Sequence, residues 1–124
     1  MKNLLVLIVV LMLGVTFAEN AAITKNHPKF DQIEKNLINN TKSENHGVLY
    51  SSIIMLGEIK SENAVMSLAK ILRGNYSNDL KIVSALSLAK IGTDYSKYIV
   101  RRVAELSDDK KTSELLRKFY FATK

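Results

Sequence analysis

The stretch SSIIMLGEIKSENAVMSLAKIL, Ser51 to Leu72, decides the fold. Slid along the chain until Ser52 stands over Ser84, it lies over SALSLAKIGTDYSKYIVRRVA and matches it in residue class. Leu56 meets Leu88, Ile59 meets Ile91, Ser61 meets Thr93, Glu62 meets Asp94, Leu68 meets Val100 and Ile71 meets Val103. Few of these pairs are identities. Residue class recurring at a fixed interval marks supersecondary units that can bury their apolar faces only against one another.

Each unit reads as two helices. Val48, Ser52, Met55, Leu56 and Ile59 follow one face of a helical period and predict the first helix. Lys60 and Ser61 then form a joint, with Ser61 as the expected N-cap and Glu62 in the first turn, where the helix dipole favours a negative charge. Ala64, Leu68, Ile71 and Leu72 make the next apolar stripe, until Gly74 ends it. The second unit repeats this scheme. A helix from about Asp79 to Ile91 stops at Gly92, Thr93 caps the next, and Ile99, Val100 and Val103 carry it to about Leu106. Half-units flank the two. One is opened by Pro28 with Phe30, Ile33, Leu37 and Ile38 inward; the other is capped near Asp108 or Asp109 with Leu115, Leu116 and Phe119 inward.

With these helices laid out, Ser51–Leu72 and the SALSLAKIG stretch resemble HEAT repeats, particularly the short bacterial type known as PBS-lyase-like HEAT repeats. The likeness is carried by Leu56, Gly57, Ile59, Ala64, Val65 and Leu68, and again by Ala85, Leu86, Ile91 and Gly92. In the second unit Ser96 and Lys97 stand where that pattern has its alanine and valine. The resemblance implies an all-α fold, a short right-handed α-solenoid of HEAT-like helix pairs with about six helices over 27–124. It also implies scaffolding or binding, as in small exported bacterial HEAT-repeat proteins, without naming a ligand.

The first residues point to the compartment. MKNLLVLIVVLMLGVTFAEN has the charged Lys2, the apolar run Leu4 to Leu13 and the small-x-small site Thr16-Phe17-Ala18 of a secretory signal. Cleavage is expected after Ala18, leaving 19–26 as a flexible tether and a periplasmic or secreted protein. Its uncharged run from Asn3 to Ala18 is shorter than the roughly 18 to 20 apolar residues that span a bilayer. The chain contains no cysteine, which excludes a disulfide framework, so packing alone must stabilise it. Loss of Lys2 with the signal lowers the formal charge from +6 to +5, and from Lys81 onward ten basic residues face five acidic ones. That half suits an anionic partner or, peripherally, a membrane surface. Export argues against nucleic acid.

No catalytic set emerges. S-L-A-K occurs at Ser67–Lys70 and Ser87–Lys90, the spacing with which S-x-x-K acyltransferases begin, but the nearest thing to their K-T-G element is Lys111-Thr112-Ser113. An enzyme, or an enzyme subunit by analogy with the lyases that share these repeats, is therefore the alternative class. His27 and His46 lack a second ligand at helical spacing, so neither a metal nor another cofactor is expected.

One surface remains. With Ala64, Leu68, Ile71 and Leu72 inward, Met66, Lys70 and Arg73 face solvent. The same shift carries Met66 onto Tyr98 and Lys70 onto Arg102, with Arg101 beside it. An apolar residue and a cation on successive second helices predict a protein-binding face for an acidic or mixed partner.

Overall fold

The computed structural model describes residues 23–122, and the signal expected over 1–18 lies outside them. Among the described residues the fold is all-α. Its helices are α1 (Phe30–Asn40), α2 (His46–Glu58), α3 (Val65–Arg73, entered through a 3-10 turn at Glu62–Ala64), α4 (Asn78–Ile91), α5 (Asp94–Leu106) and α6 (Lys110–Ala122). Phe30, Glu62 and Asp94 open helical segments at the interval that separates Ser52 from Ser84, and His46, Asn78 and Lys110 open the alternate series at the same interval.

Of the two expected helix pairs, α4 with α5 makes extensive contact and α2 with α3 does not. The broadest contacts are α2 with α4, α3 with α4 and α5 with α6, followed by α1 with α2. The helix starts thus recur at the expected interval, with α1–α2, α3–α4 and α5–α6 as the first, second and third pairs. α2 also packs on α4, and α4 on α5 and α6, which leaves α4 central. Its buried residues, Leu80, Val83, Ala85, Leu88 and Ile91 among them, therefore ring the helix and do not form one stripe. Ile53, Leu56, Leu68, Leu88, Ile99 and Leu116 are fully buried. Each such side chain contributes about 1.5–3 kcal/mol relative to exposure.

α2 crosses α4 at Gly57. A Cβ there would lie 2.8 Å from the Cα of Ser87, so only glycine permits the approach. Beside the crossing, Ser87 Oγ donates to the Ile53 carbonyl at 2.8 Å. The buried face of α2 runs through Leu49, Ser52, Ile53, Leu56 and Gly57. Val48, expected inward, is exposed one residue off that face.

Two expected helix starts are corrected. Pro28 lies in a turn ahead of α1, whose N-cap is Lys29, and His27 Nδ1 accepts from the Lys29 amide at 3.1 Å. Ser61 stands at the N-cap of the 3-10 turn but makes no capping bond. Its Oγ donates instead to Glu34 Oε2 at 2.6 Å, and Asn63 Nδ2 reaches Glu34 Oε1 at 3.1 Å. Glu34 is 8% exposed, so this carboxylate of α1 ties the first pair to the start of the second. Thr93 does cap α5, accepting from the Ser96 amide at 3.1 Å, and Asp109 accepts from the Thr112 amide at 3.2 Å at the head of α6. In the segment expected as a tether, Ile23 packs against the core and Lys25 Nζ lies 3.6 Å from Glu62.

Candidate functional site

Gly74 takes extended backbone and stops α3, leaving Leu72 and Arg73 at the helix end. The chain turns and re-enters a helix at Asn78, which sets Lys81 one turn into α4. Across from them, Tyr98, Arg102, Val103 and Leu106 fall on one face of α5. Ser107, Asp109 and Thr112 close the far side, and the whole encloses a cleft of about 590 Å³.

The cleft is cationic over an apolar floor. Leu72 is 2% exposed beneath it, Val103 is half-buried, and Leu106 is 68% exposed at its edge. Arg73, Lys81 and Arg102 supply positive charge against the single carboxylate of Asp109. Asp109 is already engaged: hydrogen bonds from the Thr112 hydroxyl and then the Thr112 amide hold its carboxyl below the usual range. Arg102 Nη1 reaches Glu105 Oε2 only at 3.4 Å, while Arg101 Nε lies 2.9 Å from the other oxygen, Oε1. Arg73 and Lys81 form no ion pair with any described residue.

Of the six residues expected on the binding face, Arg73, Tyr98 and Arg102 line this cleft. Met66 and Lys70 are exposed on α3 outside it. Arg101 opens onto a separate recess of about 230 Å³ with Glu105, Arg117, Tyr120 and Phe121. Hydrogen bonding to Glu105, and then to Tyr120, raises the pKa of its guanidinium further. Lys81 and Leu106 were missed by sequence reasoning. The available signal was the register itself, since the repeat shift lays Lys81 on the apolar Leu49.

In the second S-L-A-K, serine and lysine are engaged by other partners. Ser87 Oγ is bonded to the Ile53 carbonyl and Lys90 Nζ pairs with Glu58, while Ser67 is half-buried on α3 with Lys70 exposed. Among the described residues no three His, Asp or Glu side chains are grouped to hold a metal, and no helix is long and apolar enough to cross a membrane. Comparison of the chain with protein-family models, curated proteins and solved structures gave no match. The HEAT resemblance therefore rests on residues such as Leu56, Gly57 and Ile59 alone.

Proposed function

We propose that the chain is a short right-handed α-solenoid of HEAT-like helix pairs that acts as a non-enzymatic protein-interaction module of the bacterial cell envelope. Its partner docks on the face lined by α3 and α5. The observation that carries this reading is the pair of interleaved helix series at one common interval, with Arg73 and Lys81 free of ion pairs to the described residues over an apolar floor where the second and third pairs meet. Stacked helix pairs offer extended concave surfaces, and binding is their usual use. The signal-like start of the chain supports export.

Site-specific photo-crosslinking in living cells tests the reading. A photoreactive residue at position 98 is expected to capture a discrete envelope protein that the same residue at the exposed position 51 of α2 does not. Equal capture at both positions, or none at position 98, contradicts it.

A further inference from the structure

We propose that the cleft between α3 and α5 seats an acidic peptide segment bearing an apolar anchor. The inference rests on the interaction-module reading above and names the chemistry of the partner. Its ground is a departure from the repeat. In the first pair, Leu49 is 4% exposed and belongs to the core, and Thr41 is buried with its hydroxyl donating to the Ile38 carbonyl at 2.6 Å. Their counterparts in the second pair are Lys81 and Arg73, both at the cleft. Where leucine and threonine close the first pair, the second is open and positive. In the third pair the counterparts are Ser113 and Glu105, so this combination of two cations occurs once in the register.

Charge and shape then define the occupant. Asp109 accepts from Thr112 and makes no ion pair with either cation, which leaves Arg73 and Lys81 to meet carboxylates from outside. The planar fork of an arginine donates two parallel hydrogen bonds to a carboxylate, and lysine adds a point charge. Beneath them Leu72 and Val103 form a recessed floor, with Leu106 extending it into solvent. A recess of this size falls in the range of roughly 300–1,000 Å³ typical of ligand sites. It suits an inserted Leu or Phe side chain with acidic flanks better than the flat headgroup plane of a bilayer.

The probe is a fluorescein-labelled decapeptide with a central Leu-Phe pair flanked by glutamates, titrated into the full chain and followed by anisotropy. Saturable binding is expected, absent for the lysine-flanked peptide and at least about fivefold weaker for an Ala-Ala core. Arg73→Glu combined with Lys81→Glu should weaken binding by about tenfold or more, while Lys70→Glu, outside the cleft, should change it less than about twofold. Circular dichroism checks that the variants remain folded, and the peptide series itself uses the unaltered protein. Three results overturn the proposal: an equal loss in Lys70→Glu, an Ala-Ala core that binds as well as Leu-Phe, or no peptide binding beside charge-reversal-sensitive pelleting with phosphatidylglycerol vesicles. The two levels fail separately. Crosslinking at position 98 without peptide binding removes only the acidic occupant; peptide binding without crosslinking removes the envelope partner.

Discussion

Lys60 and Gly92 occupy equivalent places in the repeat, just beyond α2 and α4, and both take left-handed backbone with φ of 52° and 73°. The residues that follow, Ser61 and Thr93, share extended backbone and the N-cap position. Their chemistry is different. Thr93 turns its oxygen to the Ser96 amide and starts α5 as a regular helix. Ser61 turns its oxygen to the buried Glu34, makes no cap, and leaves the chain to enter α3 through a 3-10 turn. The register explains the difference. In the place before Thr93 that Glu34 holds before Ser61, the chain has Met66, which has no carboxylate to offer. One backbone joint thus admits two solutions for its polar atoms, one local and one reaching across helices.

The largest expected effect lies just before each joint. Gly57→Ala should cost about 3 kcal/mol in urea unfolding, because the new methyl meets the Ser87 backbone at 2.8 Å. Its register mate Ala89 already carries a methyl, and Ala89→Gly should cost only about 1 kcal/mol. Equal costs would remove the distinction between the two positions. Next is the carboxylate. Glu34→Ala leaves the Ser61 hydroxyl without its acceptor and should cost about 2 kcal/mol, whereas the exposed Met66→Ala should stay within about 0.5 kcal/mol. Thr93→Ala removes a local cap and should cost about 1 kcal/mol, with the loss confined in hydrogen exchange to the first turn of α5. Smallest is Lys60→Gly, expected to raise the unfolding free energy by about 0.5–1 kcal/mol by relieving a left-handed lysine. A destabilised Lys60→Gly would mean that the two joints do not share a backbone requirement.

Much of this is legible in the residues, for reasons that differ from element to element. The helices, Gly92 as a stop, Thr93 as a cap and Asp109 at the head of α6 are local features, and local spacing predicts them. The Glu34 contact joins two helix pairs, so nothing near Ser61 betrays it; a serine before a helix signals an available oxygen, not its direction. Val48 fits the inward stripe because a helical period accepts neighbouring offsets almost equally well, and α4, buried around most of its circumference, has no single stripe to read. The repeat shift supplies a period but no contact partners, so residue class alone does not show that α2 and α3 lack an extensive contact. The cleft is half legible. Arg73, Tyr98 and Arg102 follow from the outward face of the stripe, but Lys81 stands out only when the register is carried back to Leu49.

The proposed solenoid rests on one claim, that the chain is assembled from helix pairs of one length, the second running from Glu62 to Thr93. A second copy of Glu62–Thr93 inserted after Thr93, with Ala89→Gly in the first copy to reproduce the Gly57 crossing, tests it directly. Repeat arrays gain stability from each added unit and its interface. The account predicts one cooperative urea transition, helicity per residue no lower than in the parent, and a midpoint at or above the parent's. A lower midpoint, or a broad transition with helicity per residue reduced, would contradict it.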